Sequence, residues 1–378
     1  MTHRIDPLKL HRDLQGKLAV TPKTDLTPDT LAALYTPGVG QVSSYVAEHP
    51  ADAAELTLKG RSVAVVSDGS AVLGLGNIGP LGALPVMEGK AILFKALGGL
   101  DAWPLVLSTQ DPAEIIAAVK AVAPTFGGIN LEDISAPRCY EIEERLQAEL
   151  DIPVMHDDQH ATAIVALAGL INAFKIVEKD LKKAKIAVVG AGAAGSAILR
   201  LLLDYGVEDV VMTDSKGIVE PGRPNLDPYK QRWAQLGNPR HLTGDAAVAI
   251  QGADAVVAVS VPGSVTAGHV AAMADRPVVF ALSNPTPEIM PADALAAGAA
   301  VVATGRSDFP NQINNVLVFP GLFKGLLAAG ARDVTPAIKL RAAQALAALV
   351  PQPTAEHIIP SALDPAVPAA VARAVSPA

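Results

Sequence analysis

The stretch KIAVVGAGAAGSAILRLLLDYG, residues Lys185–Gly206, decides the fold predicted for the second half of this chain. An apolar run leads directly into the pattern GxGxxG, and a helical pattern follows without a break. The next apolar run, Val210–Thr213, ends at an acid in the position from which such units bind a ribose. Strand, glycine turn and helix in this order are typical of a Rossmann-type site, where the helix N-terminus receives a pyrophosphate. We therefore predict a dinucleotide site formed by Gly190, Gly192, Ala193, Ala194, Gly195 and Asp214.

The residues around Asp214 leave the choice of dinucleotide open. The carboxylate of Asp214 favours NAD, because its charge would repel the 2′-phosphate of NADP. Lys216, which follows shortly after, could neutralise that phosphate. We therefore include Lys216 in the predicted cofactor site, with NAD or NADP as the cofactor.

Short β-branched runs alternate with helical patterns on both sides of this stretch, which is typical of parallel sheets covered by helices. The prediction is an α/β fold of two domains, an N-terminal parallel-sheet domain (residues 1–157) and a C-terminal Rossmann-type domain with a helical tail (158–378). The first 60 or so residues and the last 50 or so are mainly helical by pattern, on approximate boundaries. Strands are predicted at Ser62–Ser67, Trp103–Leu107, Gly128–Leu131, Ile152–His156, Ala255–Ser260, Val278–Ser283 and Ala300–Ala303, and helices at Leu84–Leu97, Pro112–Val122, Pro137–Leu150 and Thr162–Ile176.

Pairs of acids follow two consecutive strands of the first domain. Glu132 and Asp133 come after GGINL, and Asp157 and Asp158 come after IPVMH. Parallel strands end at the same edge of a sheet, so both pairs are expected at one site. Four acids in one cleft repel each other and need a cation, and oxygen ligands select Mg2+ or Mn2+ over zinc. The alternative is that these acids are solvated loop residues, as most acids are.

Two further motifs carry less weight. HDDQH, His156–His160, has the spacing of a zinc peptidase motif, but that motif needs both histidines on one helix and His156 closes a predicted strand. A second GxGxxG pattern at Gly74–Gly79 has no strand before it, so a loop leading into the next helix is favoured. Whether that loop lines the substrate cleft stays open.

Composition excludes several classes of function. The net charge of −8 gives no reason to expect nucleic acid or an anionic membrane as partner. The single cysteine, Cys139, cannot form an internal disulfide, which favours a reducing cytosol. No signal peptide is visible, and the longest apolar stretch, Ala161–Phe174, falls short of a membrane span. We expect a cytoplasmic protein without a membrane partner.

Nine motifs, in order along the chain, resemble the malic enzyme family in its short bacterial form. They are LYTPGVG (Leu34–Gly40), SDGSAVLGLGNIG (Ser67–Gly79), PVMEGK (Pro85–Lys90), NLEDISAP (Asn130–Pro137), HDDQHATA (His156–Ala163), VVGAGAAG (Val188–Gly195), TDSKG (Thr213–Gly217), SNPTPE (Ser283–Glu288) and NNVLVFPG (Asn314–Gly321). The resemblance implies oxidative decarboxylation of malate to pyruvate and CO2, with reduction of NAD or NADP and a divalent metal. It also implies that the N-terminal domain binds substrate and metal, and that the protein is a homodimer with parts of the site supplied across subunits.

The resemblance assigns roles to individual residues. It implies a metal held by Glu132, Asp133 and Asp158, a catalytic Lys90 beside Asp157, and Tyr35 as general acid. It further implies contacts of Asn284 and Asn315 with substrate. From the residues alone, a structural role is favoured for these three residues, with Tyr35 as a turn cap and the two asparagines as loop formers. The protonation of Lys90 stays open because burial and Asp157 act in opposite directions.

The chain departs from the family pattern at two positions, and other activities are compatible with the same fold. Larger members carry an arginine for the substrate carboxylate where Ala71 stands here, so the partner of that carboxylate is not identified. Ala161 replaces a glycine expected after the histidine of the DDQH segment, which predicts a tighter loop. The alternatives are a malolactic-type enzyme or oxaloacetate decarboxylase on the same fold, and a non-catalytic dinucleotide-sensing protein.

Overall fold

A computed structural model of the chain describes residues 5–375, with the side chain of Leu73 left out. The outer ends of the two predicted domains, residues 1–4 and 376–378, lie outside this described part. The strands are β1 (Ser62–Ser67), β2 (Asp101–Val106), β3 (Gly128–Leu131), β4 (Val154–His156), β5 (Lys185–Val189), β6 (Asp209–Asp214), β7 (Gly217–Ile218), β8 (Ala255–Ala258), β9 (Val278–Ala281) and β10 (Val301–Thr304).

The α-helices of the described residues are α1 (Pro7–Leu14), α2 (Pro28–Leu34), α3 (Val39–Glu48), α4 (Ala53–Leu56), α5 (Gly79–Leu93), α6 (Pro112–Val122), α7 (Arg138–Glu149), α8 (Asp157–Ile176), α9 (Ala193–Tyr205), α10 (Pro228–Ala234), α11 (Ala246–Ile250), α12 (Ala267–Ala271), α13 (Pro291–Ala296), α14 (Phe319–Ala329), α15 (Pro336–Ala348) and α16 (Ala366–Val375). The predicted α/β fold with a parallel first sheet and a Rossmann-type second sheet is confirmed.

The first sheet has the strand order β2-β1-β3-β4, and all its neighbouring strands are parallel. Its central strands β1 and β3 are buried along their whole length, because helices cover both faces of the sheet. Leu131 at the end of β3 pairs with His156 at the end of β4. The acids that follow these two residues therefore leave the sheet at the same edge, as predicted from the sequence.

The second sheet has the order β10-β9-β8-β5-β6-β7, and only the short strand β7 is antiparallel to its neighbour. The chain passes from β5 to β6 on one side and later returns to β8 on the other side of β5. In open α/β sheets, ligands bind in the crevice outside such a reversal point, at the carboxyl ends of the strands. The glycine turn after β5 lies at that place.

Helix α8 begins five residues earlier than predicted, so Asp157 and Asp158 open a helix and do not extend the strand before it. The positive end of the helix dipole favours carboxylates in this first turn. Ala161 is accordingly a buried residue inside α8, and the expected effect on a loop does not arise. The helix is long and apolar enough to cross a membrane, but most of it is buried inside the protein, as in the core helix of a soluble protein.

The N-terminal segment from α1 to α3 is helical, as predicted, but none of its helical residues is buried. Apolar side chains such as Leu8, Leu14, Leu31 and Leu34 remain exposed along it. A segment of this length and composition normally covers its apolar side chains. Much of the apolar surface of this segment therefore lacks cover within the described chain.

Helix α14, from the C-terminal half, packs against the first sheet. Phe319 and Phe323 contact Phe94, with ring centroids 4.7 and 5.5 Å apart. A Cβ atom on Gly128 of β3 would lie 2.9 Å from the ring of Phe323, so the helix approaches the sheet as closely as a glycine allows. This packing brings the turn that precedes α14 beside the acids at the end of the first sheet.

Candidate active site

A cavity of about 970 Å3 lies between the ends of the two sheets. Residues from both halves line it, which fits the rule that cofactor and substrate sites occur between domains. Among its lining residues are the predicted site residues Lys90, Glu132, Asp133, Asp158, Ala194, Asn284 and Asn315.

Three carboxylates converge in this cavity. Oxygen atoms of Glu132, Asp133 and Asp158 all lie within 4.8 Å of one another, and the first two side chains are buried. The backbone N–H of Asp133 donates to Oδ2 of Asp158 at 2.9 Å, which ties the end of β3 to the start of α8. Asp133 has φ +54°, a left-handed conformation that costs free energy in most residues and is better tolerated by aspartate. The donor set is all oxygen and suits Mg2+ or Mn2+.

Lys90 lies between two buried acids. Its Nζ donates to Oε1 of Glu132 at 2.8 Å and to Oδ2 of Asp157 at 2.5 Å, and it sits 4.1 Å from the ring centre of Phe319. The side-chain amide of Asn315 also donates to Oδ2 of Asp157. Four residues that the sequence places in four separate motifs therefore form one connected group.

Burial and charge act against each other in this group. Burial alone would lower the pKa of Lys90, but the carboxylates of Asp157, Glu132 and Asp158 outweigh it and raise the pKa. Burial raises the pKa of Asp157 well above its usual value, and the pKa of Glu132 is raised for the same reason. In the absence of a metal ion, these carboxylates therefore favour the ammonium form of Lys90 by raising its pKa.

The glycine turn after β5 fits a dinucleotide. Gly190 has φ +116°, and a Cβ atom on it would lie 2.5 Å from the carbonyl oxygen of Val259. A Cβ atom on Gly195 would lie 1.8 Å from the carbonyl oxygen of Gly190, whereas one on Gly192 would meet nothing within 4 Å. No side-chain hydrogen bond caps the first turn of α9, and the space beside Gly192 is open. These are the features that a pyrophosphate needs.

Asp214 lies in a second cavity of about 310 Å3 beside the glycine turn. Its Oδ2 accepts hydrogen bonds from Arg223 at 2.5 Å and from Lys230 at 2.9 Å. Burial would raise the pKa of Asp214, but hydrogen bonds from these two cations lower it to about 2. Sequence reasoning missed both cations, although they follow Asp214 by only 9 and 16 residues, because they come from a loop and a helix whose path the sequence pattern did not indicate. It proposed Lys216, whose side chain is exposed and whose backbone N–H donates to Asp214.

Of the remaining predicted residues, Asn284 lies in the main cavity and Tyr35 lies outside it. Asn284 lines the main cavity, and its carbonyl oxygen would lie 2.0 Å from a Cβ atom on Gly74. The first GxGxxG pattern therefore lines the cleft, and Gly74 lets the two domains approach there. Tyr35, in contrast, is 68% exposed and does not line the cavity of its own chain.

A buried network behind the carboxylates was not predicted. Glu143 on α7 accepts from the backbone N–H of His156 at 2.7 Å and from the side chains of Gln159 and His160 at 2.9 and 3.0 Å. Burial would raise the pKa of Glu143, but His160 and the donated hydrogen bonds lower it to about 2. Lys339 contacts the other ring nitrogen of His160 at 2.9 Å. The network fixes both ends of the segment that carries Asp157 and Asp158.

The fold and the site together define a class, the two-domain α/β proteins in which a Rossmann-type dinucleotide site faces a buried cluster of carboxylates. Two family models match the chain, "Malic enzyme, N-terminal domain" over residues 15–147 and "Malic enzyme, NAD binding domain" over residues 160–376. The chain belongs to the malic enzyme family.

Relatives and solved structures agree with this assignment. The chain is 50% identical to a bifunctional malic/malolactic enzyme of Bacillus subtilis, over all of this chain and 93% of that protein. It is 52% identical to an NAD-dependent malic enzyme of Geobacillus stearothermophilus, over 95% of this chain and 76% of the relative. The structure is similar to that of an NAD-dependent malic enzyme from Thermotoga maritima, with a TM-score of 0.96 and 47% identity over 99% of this chain and all of that one.

Proposed function

We propose that this protein oxidises and decarboxylates malate to pyruvate and CO2 with reduction of a nicotinamide dinucleotide. The observation that carries the proposal is the position of Lys90 and three converging carboxylates in a cavity that continues towards the glycine turn after β5. The main cavity and the cavity beside Asp214 share Val259 and Ser260, so one dinucleotide can occupy the second and extend its nicotinamide into the first.

Glu132, Asp133 and Asp158 would hold a divalent metal, Mg2+ or Mn2+. When bound, this ion supplies Lewis-acid polarisation of the 2-hydroxyl and then of the ketone. Asn284 and Asn315 line the same space and can donate to substrate oxygen atoms. Residues 1–157 accordingly form the substrate and metal domain and residues 158–378 the dinucleotide-binding domain in this proposal.

Lys90 is the group that accepts the proton of the substrate's 2-hydroxyl. It can accept that proton only in its neutral form, so its pKa must fall below the value that the free carboxylates impose. Burial already acts in that direction, and neutralisation of the neighbouring carboxylates would let burial prevail. Asp157, which accepts a hydrogen bond from Lys90, is placed to take the proton onward.

The cations beside Asp214 bear on the choice of cofactor. Arg223 and Lys230 neutralise the carboxylate that would otherwise repel a 2′-phosphate. We therefore expect the protein to accept NADP as well as NAD. Comparison of kcat/KM for the two cofactors tests this expectation, and a preference for NAD of more than about a thousandfold, roughly 4 kcal/mol, would contradict it.

Tyr35 would protonate the enolate at C3 only if it reached an active site. It lies in the exposed N-terminal segment, outside the cavity of its own chain. A homodimer that covers the apolar side chains of this segment would let Tyr35 reach the cavity of the partner subunit. We therefore propose a cytoplasmic homodimer in which Tyr35 acts across the interface.

A second activity has a specific observation in its favour. The Bacillus subtilis relative is described as a bifunctional malic/malolactic enzyme. Retention of the reduced cofactor after decarboxylation would allow the same site to reduce pyruvate to lactate. The two activities use the same residues and differ in whether reduced cofactor accumulates.

The decisive experiment measures products and cofactor together. Purified protein is incubated with malate, Mn2+ and either NAD or NADP, and reduced nicotinamide, pyruvate and lactate are quantified. Equal amounts of pyruvate and reduced cofactor support the oxidative reaction. Lactate without net reduced cofactor would instead support the malolactic reaction. The absence of both pyruvate and lactate would refute both reactions.

A further inference from the structure

We infer that Lys17, in the exposed N-terminal segment, binds the substrate carboxylate that is retained in pyruvate. This inference rests on the proposed function and names the group that takes the place of the arginine missing at Ala71. Helix α1 and the residues after it form one wall of the main cavity, through Leu10, His11, Leu14 and Lys17.

The ammonium group of Lys17 lies next to the helix that carries Lys90. Its Nζ donates to the carbonyl oxygen of Pro85 at 2.7 Å, and a Cβ atom on Gly89 would lie 3.7 Å from it. Pro85, Gly89 and Lys90 all line the cavity on one face of α5. The backbone N–H of Lys17 donates to Glu88 at 3.3 Å, which holds the base of the side chain against α5.

The charges in the cavity require another cation. Glu132, Asp133 and Asp158 line the cavity and Asp157 lies directly behind Lys90, so four carboxyl groups surround one ammonium group, which already donates to two of them. A divalent ion would be bound by three of these carboxyl groups, and the substrate adds two carboxylates of its own. Attraction from one further ammonium is therefore needed to bind a dicarboxylate here.

Lys17 is the cation that is free to do this. Among the described residues that line the cavity, the lysines are Lys17 and Lys90, and Lys17 takes part in none of the ion pairs of the described chain. Its present partner is a neutral peptide carbonyl, which a carboxylate can displace with a gain in free energy. Ala71 donates its backbone N–H to the carbonyl oxygen of Asp133 and offers only a methyl group.

The retained carboxylate is the better ligand for such a cation. A positive charge on the departing carboxylate would stabilise it before the loss of CO2 and oppose the reaction, whereas the retained carboxylate keeps its charge throughout. An ammonium there binds substrate and transition state equally. Its loss should therefore raise KM and leave kcat nearly unchanged.

The test compares Lys17→Met, Lys17→Arg and the control Lys9→Met. Lys9 lies on α1 and pairs with Asp13 in solvent, so its removal changes the charge of the same N-terminal segment without touching the cavity. Binding of malate and of pyruvate to the Mn2+-loaded protein is followed by saturation-transfer NMR, and Mn2+ affinity and unfolding temperature are measured in parallel.

We expect Lys17→Met to weaken malate and pyruvate binding by similar factors of roughly 10–100, as for loss of a charge-assisted hydrogen bond. Lys17→Arg should recover most of this loss, and Mn2+ affinity and unfolding temperature should stay unchanged. Binding equal to that of Lys9→Met, or weakening of malate alone, would overturn the inference. Failure of the wild-type protein to bind malate at all would instead refute the proposed function.

Discussion

Lys90 shows how one residue can be read in two ways until its neighbours are known. In the sequence it resembles an ordinary helix lysine, whereas in the structure it is 6% exposed and donates to Glu132 and Asp157. A buried cation of this kind is stable only because carboxylates surround it. Its chemistry and its contribution to folding therefore have the same origin.

Substitution Lys90→Met should lower kcat by about 10²–10⁴-fold, the usual loss when a general acid or base is removed. Dinucleotide affinity should change little, because the glycine turn lies on another domain. Steady-state kinetics and a fluorescence titration with reduced cofactor measure the two effects. The control is Lys95→Met, since Lys95 is exposed and pairs with Asp101. Unchanged turnover of Lys90→Met would remove Lys90 from the mechanism.

Substitution of Asp158 should change the thermal stability of the metal-free and the metal-loaded protein in opposite directions. Asp158→Asn keeps an oxygen that can accept from the N–H of Asp133 but removes one of three converging charges. We expect the unfolding temperature without metal to rise by about 2–4 °C, the shift that roughly 1 kcal/mol gives in a large domain. Addition of Mn2+ should then stabilise the variant far less than the wild type. Calorimetric scans with and without Mn2+ measure both, and an unchanged response to Mn2+ would exclude Asp158 as a ligand.

At the scale of elements, the turn between β5 and α9 contains one glycine that folding requires and another that dinucleotide binding requires. A methyl group on Gly195 would collide with the carbonyl of Gly190, whereas one on Gly192 would enter open space. Gly195→Ala should therefore destabilise the protein by about 2–4 kcal/mol. Gly192→Ala should leave stability within about 0.5 kcal/mol but weaken the dinucleotide at least about tenfold. Urea unfolding and cofactor titration of both variants test the pair, and full cofactor affinity in Gly192→Ala would argue against a pyrophosphate there.

The junction between β4 and α8 depends on Glu143. Glu143→Gln replaces an acceptor of three hydrogen bonds by a group that presents an NH2 to other donors, and we expect a loss of about 3 kcal/mol at neutral pH. The control Glu141→Gln, on the solvent side of the same helix, should be nearly neutral. Because the pKa of Glu143 is lowered from 4.5 to about 2 in the folded protein, its stabilisation is complete above pH 4.5 and is lost as pH falls towards 2. Denaturant unfolding across this range should show the difference between wild type and Glu143→Gln shrinking at low pH, and a constant difference would contradict the assignment.

At the scale of the whole molecule, the uncovered N-terminal segment and the distant Tyr35 have one explanation in a homodimer. Tyr35→Phe and Lys90→Met should each be nearly inactive alone. Mixing the two after mild dissociation should restore roughly a quarter of wild-type activity, because half the dimers are mixed and each mixed dimer has one intact site. Activity of the mixture and its mass by light scattering are the measurements. A dimer without restored activity would place Tyr35 in its own subunit, and a monomer would refute the proposed assembly.

The two sheets were predictable because their signals are local. Strands β1, β3 and β5 have the bounds expected from the apolar runs, and the glycine pattern after β5 identified the dinucleotide turn. Other features close in sequence were missed. The start of α8 was placed too late, because nothing in HDDQH distinguishes a strand end from a helix start. The two-residue strand β7 and the partners of Asp214 were missed because they lie in a turn-rich stretch without a periodic pattern.

The amino-acid sequence by itself determined the fold class and the family, because strand and helix patterns are local and the nine short motifs can be recognised in order without knowledge of their contacts. Only the tertiary structure decided which residues meet. Packing of α14 against the first sheet brings Asn315 to Asp157, the loop at Gly74 meets Asn284, and Lys17 reaches the cavity of Lys90. These contacts join residues far apart in the chain, and their free energy comes from burial and charge that exist only once the domains have packed.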